Sequence, residues 1–201
     1  MNIETADYRL WEEFRKGEKQ ALSHIYFSYV ERLFRYGKKF SSDDDLIKDT
    51  IQDLFFDLIR TRSKLGSTDH IYFYLVKSLR RRLFSNMEGI RKRENRLDKS
   101  EFQEASITYS IEYELINKEE LSNREVLIQK GLSELSPKQR EILYYRYTCD
   151  FEYEQICELM SIKYDSARKM VFRALQSLKS HLKEHNFLLF MLQIRQLKNY
   201  L

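Results

Sequence analysis

The chain has 201 residues with only one Pro and five Gly, a composition that disfavours turn-rich β architecture and favours an all-α fold. Its formal net charge of +4 is too small to identify a partner by itself. There is no secretory leader and no CxxC pair, and the apolar run "FLLFML" is far below the ~20 residues of a membrane-spanning helix. We therefore expect a soluble, cytoplasmic protein without membrane insertion.

Four amphipathic helices are predicted in the first half of the chain. They cover roughly residues 7–17, 19–39, 46–60 and 71–93. Gly17 is expected to end the first helix, and the "SSDDD" segment supplies a cap for the third. Tyr26 is expected on the core face of the second helix, because its spacing follows the apolar stripe.

The third predicted helix has an acidic side opposite its apolar stripe. The stripe consists of Ile47, Ile51, Leu54, Phe55 and Leu58. The polar side carries Asp49, Gln52, Asp53 and Asp57. Such a strip is suited to a cationic partner, although solvated surface carboxylates are the simpler interpretation.

The charge along the chain changes sign after the fourth helix. From Lys77 to Arg96 eight basic residues face two acidic ones, whereas from Asp98 to Glu125 eight carboxylates face three basic residues. Helical periodicity fades over 95–113 and resumes near Glu114, so an acidic linker is predicted there between two small helical domains.

The second half of the chain predicts a helix-turn-helix. Ser136 as N-cap, Pro137 at the first helical position and Gln139 three residues after the cap form a helix start signal. That helix is expected to run to about Tyr147, and "EYEQICELM", "SIK" and a basic last helix follow. Three helices joined by tight turns are typical of this motif.

The last helix separates apolar and cationic residues onto different faces. Ala167, Met170, Val171, Ala174 and Leu178 are expected in the core. The residues predicted to face DNA are Asp165, Ser166, Arg168, Lys169, Phe172 and Arg173. Asp165 or Ser166 is expected to cap the helix, and an ordinary surface helix is the simpler alternative.

Two segments resemble the sigma-70 family of RNA polymerase sigma factors. The stretch from Leu135 to Leu178, with "LSPKQREIL" at its start, is similar to region 4, although Ser161 stands where a turn Gly is usual. "DTIQDLFFDLI", from Asp49 to Ile59, is similar to region 2. Their order and separation resemble the extracytoplasmic-function (ECF) type, which has regions 2 and 4 alone.

The resemblance implies a division of the chain and a set of partners. Residues 1–94 would be region 2, 95–113 the acidic linker, 114–185 region 4 and 186–201 an apolar extension. The implied partners are promoter DNA, an anti-sigma factor and core RNA polymerase, through the clamp helices of its largest subunit and its flap. No cofactor or metal is implied.

The resemblance also implies roles for individual residues. Asp49, Gln52, Asp53 and Asp57 would bind core polymerase, and the last helix would read the −35 element. The segment "YFYLVKSLRRRLFSN" would open and hold the −10 element. Its candidate DNA-binding residues are Tyr74, Lys77, Arg80, Arg81 and Arg82.

Other functions are weighed against this interpretation. There is no Gly-rich phosphate loop, HExxH or nucleophile elbow, so we do not expect an enzyme. His181 and His185 lack a third ligand nearby and are expected to be solvated. A stand-alone helix-turn-helix regulator that binds duplex operators remains the alternative. The segment 186–201 would either pack on the second domain or dock an inhibitory partner.

Overall fold

The computed structural model describes residues 5–94 and 130–181, with side chains assigned up to residues 92 and 180 in the two ranges. The chain divides into two compact units, Met1–Ala105 and Ser106–Leu201. Every regular element in the described ranges is helical, which confirms the all-α prediction. The predicted acidic linker, the helical start near Glu114 and the extension 186–201 lie outside the described residues.

The first unit contains four α-helices, α1 to α4. They are α1 (Ala6–Lys16), α2 (Lys19–Gly37), α3 (Asp44–Thr61) and α4 (Ile71–Glu94), with a 3₁₀ turn at Arg62–Lys64. Gly17 follows α1 with a φ of 97°, the left-handed conformation expected of a glycine stop. The Asp43 carboxylate caps α3 by accepting hydrogen bonds from the backbone N–H groups of Asp45 and Leu46.

The core of the first unit forms where α3 packs against α2 and α4. All five apolar residues predicted on the inner side of α3 are buried. Gly37 lets α2 approach α3, because a Cβ at this position would lie 2.6 Å from Cγ2 of Ile47. Tyr26, expected in the core, is instead 39% exposed, with its ring 4.9 Å from that of the buried Phe55.

Helix α1 holds the segment that precedes α4. The indole Nε1–H of Trp11, which is fully buried, donates a hydrogen bond of 2.8 Å to the carbonyl of Gly66. The Asp7 carboxylate accepts a hydrogen bond of 2.8 Å from the backbone N–H of Ile71, the first residue of α4. The segment between α3 and α4 is thus attached to α1 at Gly66, in its middle, and at the start of α4.

The second unit contains α5 (Pro137–Leu143), a π-helical turn (Tyr144–Thr148), α6 (Tyr153–Met160) and α7 (Tyr164–His181). The predicted capping box at Ser136 is present: Ser136 Oγ accepts from Gln139 N at 3.3 Å and Gln139 Oε1 accepts from Ser136 N at 2.9 Å. The helix expected to run to Tyr147 leaves α geometry after Leu143, because the π turn widens its last turn.

Both α5 and α6 pack against α7. Their contact places Ile142, Tyr145, Ile156 and Leu159 in the interior with the apolar side of α7. Ser161 joins α6 to α7 with φ 54° and ψ 44°, so a serine adopts the left-handed conformation that glycine adopts more easily.

Candidate functional site

Helix α7 presents a basic side to solvent and an apolar side to the core. Ala167, Val171, Ala174 and Leu178 are buried, as the sequence predicted, while Met170 is half-buried. The exposed residues on the other side are Arg168, Lys169, Phe172 and Arg173. Phe172 is 61% exposed, although a large apolar ring is more stable when it is buried.

The predicted cap of α7 is wrong. The backbone N–H of Ala167 donates to the carbonyl of Lys163 at 2.9 Å, and the helix begins at Tyr164. Asp165 and Ser166 therefore lie within the first turn, where both are exposed. An acidic side chain in the first turn is still favoured by the positive end of the helix dipole.

The acidic strip of α3 is only partly open. Asp49, Gln52 and Asp53 are exposed, whereas Asp57 is half-buried. Oδ1 of Asp57 lies 2.7 Å from Nη2 of Arg60, and Oδ2 lies 2.7 Å from Nη2 of Arg82 on α4. The hydrogen bond from Arg82 is the main reason why the pKa of Asp57 is lowered from its ordinary value of 3.8.

An exposed aromatic side chain adjoins this strip and was missed at the sequence level. Phe56 is 65% exposed and lies one helical turn after Gln52 and Asp53, on the same side of α3. The signal was available in the helical spacing, since Phe56 lies outside the stripe formed by Ile47, Ile51, Leu54, Phe55 and Leu58. On α2, Phe27 is 77% exposed.

The basic residues predicted on α4 fall into three environments. Lys77 and Arg81 are exposed and lie four residues apart, on one edge of the helix. The guanidinium of Arg80 lies 4.7 Å from the ring centre of Phe84, and Arg82 faces α3. The fifth predicted residue, Tyr74, is half-buried.

Tyr74 is held by its neighbours in the first unit. Its ring centre lies 4.9 Å from that of Trp11, in a tilted arrangement. Tyr72, one of the aromatic residues preceding the basic set, is buried beneath the guanidinium of Arg32 at 3.8 Å. The basic face of α4 thus combines two exposed cations with side chains that are largely buried inside the unit.

Neither a metal-binding cluster nor a membrane-spanning helix is found in the part of the chain that the structure describes. Within 5–94 and 130–181 no group of three or more His, Cys, Asp or Glu is placed to hold a metal ion. In the same ranges no helix is long and apolar enough to cross a bilayer. Cys149 is buried and Cys157 half-buried, both as free thiols, and burial raises the pKa of Cys157.

The second unit is similar to a known family. The family model "Sigma-70, region 4" matches residues 125–178, the segment that contains α5, α6 and most of α7. This segment includes the three helices of which the last exposes Arg168, Lys169 and Arg173, and because of its similarity it is called region 4 below.

Solved structures match the chain over most of its length. The structure of CnrH in complex with the cytosolic domain of CnrY matches with a TM-score of 0.55 and 12% identity, over 87% of this chain and 96% of that one. The sigma factor RpoE of Bartonella quintana, crystallised with the anti-sigma factor NepR, matches with a TM-score of 0.53 and 23% identity. That match covers 84% of this chain and 98% of RpoE.

At these identities the two structures report on the fold, and they agree with the region 4 match. The family match confirms the predicted resemblance to sigma-70 region 4 over residues 125–178. No curated protein matches the sequence significantly. Ser161, which lies in the turn between α6 and α7, adopts the left-handed backbone that favours glycine.

Proposed function

We propose that this chain is an ECF-type sigma factor that binds core RNA polymerase, directs it to promoters through the −35 and −10 elements, and starts transcription there. The observation that best supports the proposal is that α7 buries its apolar side in region 4 and exposes its basic side to solvent. Catalysis would belong to the polymerase, and the chain itself would supply binding surfaces. The reducing cytoplasm, where polymerase acts, is the proposed compartment.

The −35 element would be read by α7. Its apolar side is occupied by packing on α5 and α6, so only the side with Arg168, Lys169 and Arg173 is open to the major groove. Arginine can donate two parallel hydrogen bonds to guanine, and lysine and arginine also contact phosphates. Exposed Phe172 would contact a thymine methyl group or a sugar.

The −10 element would be held by the basic side of α4. Lys77 and Arg81 are exposed and would lie along the phosphates of the opened strand. Arg80 and Tyr74 are already packed against aromatic neighbours. Each would therefore contact the strand only through the part of its side chain that remains accessible. Arg82 would reach DNA only by leaving Asp57.

Core polymerase would dock on the open part of α3. Asp49 and Asp53 provide two exposed carboxylates for a cationic partner, and Gln52 lies between them. Phe56 adds apolar area beside these charges, which the clamp helices would bury. Asp57 would have a lesser role because it already pairs with Arg60 and Arg82.

An anti-sigma factor is a further proposed partner. The structures of CnrH and RpoE each contain a second protein, which for RpoE is the anti-sigma factor NepR, and this chain has a similar fold. Its first unit also leaves two phenylalanine rings, Phe27 and Phe56, largely exposed. An inhibitor that covered these rings would compete with polymerase.

A gel-shift series with and without core polymerase tests the proposal. The promoter duplexes for it come from genes whose transcripts increase when the chain is overexpressed. The chain alone is expected to bind weakly and leave the duplex closed. With core enzyme, binding should become tight and sequence-selective, and permanganate should modify exposed thymines near −10. Full affinity without polymerase would identify a stand-alone regulator instead.

A further inference from the structure

One side of helix α1 contacts the start of α4 and the residues just before it. Three polar side chains on α1 follow one another at intervals of four residues, so they lie on the same side of the helix. Each forms a hydrogen bond with the segment 66–71, and the bonded pairs are Asp7 with Ile71, Trp11 with Gly66, and Arg15 with Ser67. Helix α1 thus holds this segment at three points.

Trp11 links the segment to a residue predicted to hold the opened strand. Its indole Nε1 lies 2.8 Å from the carbonyl oxygen of Gly66, to which it donates a hydrogen bond. Its ring centre lies 4.9 Å from that of Tyr74, with 55° between the ring planes. The bond to Gly66 fixes the orientation of the buried indole, and the indole covers part of the half-buried Tyr74 ring. Trp11 therefore determines which part of Tyr74 is accessible.

Asp7 fixes the position of the first residue of α4. Its Oδ2 accepts a hydrogen bond of 2.8 Å from the backbone N–H of Ile71, one of the donors at a helix start that have no partner within the helix. Its Oδ1 accepts a hydrogen bond of 3.4 Å from the hydroxyl of Tyr29 on α2. Burial is the main reason why the pKa of Tyr29 is raised to about 12, so this hydroxyl remains a donor at neutral pH.

We propose that Asp7 and Trp11 are positioning residues for promoter opening, which hold Tyr74 and the start of α4 in the orientation that receives the opened −10 strand. The inference rests on the proposed function, which places that strand along Lys77 and Arg81. Tyr74 lies three and seven residues before these cations, so all three side chains share one edge of α4. A strand that follows the cations passes Tyr74, where a base stacks only if the ring is held at a suitable angle.

The contribution of α1 is to order this surface before DNA arrives. Gly66 and Ile71 lie 55 and 64 positions along the chain from their partners on α1. Without these distant contacts, an exposed segment and the first turn of α4 would have to be ordered when the strand binds. Ordering them in advance lowers the entropic cost of capturing the strand.

The main test measures promoter opening by holoenzyme that contains the full chain, through the time course of permanganate modification of thymines near −10. Trp11→Phe keeps an aromatic ring and removes the indole N–H. It is expected to slow opening by roughly threefold to tenfold, as for one lost hydrogen bond, with core-polymerase affinity within about twofold of wild type. Ile25→Val, which trims a buried side chain of α2, is the control for a small lesion in the same core.

Substitutions at Asp7 give an independent test. Asp7→Ala removes the oxygen that accepts the N–H of Ile71, so opening should slow by a similar factor. Asp7→Asn keeps an oxygen able to accept the same N–H and should restore most of the opening rate. Circular dichroism should show equal helicity in both variants.

A double substitution shows whether Trp11 acts through Tyr74. Tyr74→Ala is expected to slow opening by itself. Adding Trp11→Phe should then cause little further loss, because the ring that Trp11 positions is already gone.

The outcomes separate this proposal from the proposed function. Wild-type opening rates in Trp11→Phe and Asp7→Ala would overturn it, as would equal slowing by Ile25→Val or additive losses from Trp11→Phe and Tyr74→Ala. If Trp11→Phe does not fold, the Asp7 pair decides, and equal opening rates in Asp7→Ala and Asp7→Asn contradict the proposal. In all these cases the wild-type holoenzyme still opens the promoter and the proposed function stands. If the wild-type holoenzyme opens no promoter, the proposed function itself fails.

Discussion

Asp57 and Arg82 form an ion pair between α3 and α4, with Oδ2 and Nη2 2.7 Å apart. The two residues were predicted in separate surfaces, Asp57 in the polymerase strip and Arg82 among the −10 residues. Their pairing means that the helix proposed to dock on polymerase and the helix proposed to hold DNA share a charged contact. Binding of DNA phosphate to Arg82 would have to release Asp57.

The first prediction concerns the pH dependence of this pair. Because the pKa of Asp57 is lowered by Arg82, the pair stabilises the fold fully above the ordinary carboxyl pKa of 3.8 and loses this effect as pH falls through the lower folded-state value. Asp57→Asn should therefore destabilise the first unit at neutral pH, and the difference from wild type should shrink below about pH 4. Urea unfolding followed by fluorescence of Trp11, the only tryptophan and fully buried, measures this.

The control for this prediction is the same substitution in an Arg82→Gln background. There, Asp57→Asn should cost less at neutral pH, since its main partner is already gone. An equal cost in both backgrounds would show that Asp57 acts independently of Arg82.

The close approach of α2 and α3 gives a second prediction. Gly37→Ala would place a Cβ 2.6 Å from Cγ2 of Ile47, a buried and stiff β-branched side chain, and should destabilise the first unit by about 1 to 3 kcal/mol. Gly89→Ala is the matched control, because a Cβ there meets nothing within 4 Å. This control should stabilise α4 by about 0.5 to 1 kcal/mol. A neutral Gly37→Ala would mean that the helices are farther apart than described.

The turn before α7 gives a third prediction. Ser161 is exposed and holds a left-handed backbone with φ 54°, which costs an L-residue about 1 to 2 kcal/mol. Ser161→Gly should therefore stabilise region 4 by about 0.5 to 1 kcal/mol. The gain is smaller than the full cost of the left-handed backbone, because glycine also raises the conformational entropy of the unfolded chain. Hydrogen exchange of the amides in α6 and α7 reports the change.

The matched control is Ser177→Gly inside α7, where glycine should cost about 0.5 kcal/mol. If both substitutions destabilise region 4 to the same extent, Ser161 does not occupy the left-handed conformation.

Local signals in the sequence were sufficient to predict most helices of the described ranges. The Ser136 capping box involves residues only three positions apart, and Gly17 and the inner side of α3 also follow from short-range spacing. The cap of α7 was misjudged because Asp165 and Ser166 both favour cap positions, and the α6–α7 turn placed the helix start at Tyr164. Which of several adjacent residues becomes the N-cap depends on how the helix packs in the folded unit.

The candidate surfaces were less predictable than the helices. Spacing on one helix indicates which side chains are outside, and this was correct for Asp49, Asp53 and Arg168. It carries no information on which exposed side chain meets another helix, so the engagement of Asp57 with Arg82 was not foreseen.

The fourth prediction concerns promoter reading by α7. Arg168→Ala and Arg173→Ala should each reduce initiation at promoters that depend on a −35 element, with ~1 to 3 kcal/mol lost for each base contact removed. Lys179→Ala, exposed near the end of the same helix, serves as control. In-vitro transcription with reconstituted holoenzyme measures the effect. Equal activity of wild type and both arginine variants would place the DNA-facing side elsewhere.

The central claim is that the exposed part of α3 binds core polymerase, and titration of labelled chain with core enzyme tests it most directly. The double substitution Asp49→Arg with Asp53→Arg reverses two exposed charges without touching the core. The control, Glu13→Arg with Glu31→Arg, makes the same change in charge on exposed positions of α1 and α2. We expect the α3 variant to bind core polymerase at least about tenfold more weakly, with the control near wild type. Wild-type affinity in the α3 variant, with its fold intact, would contradict the account.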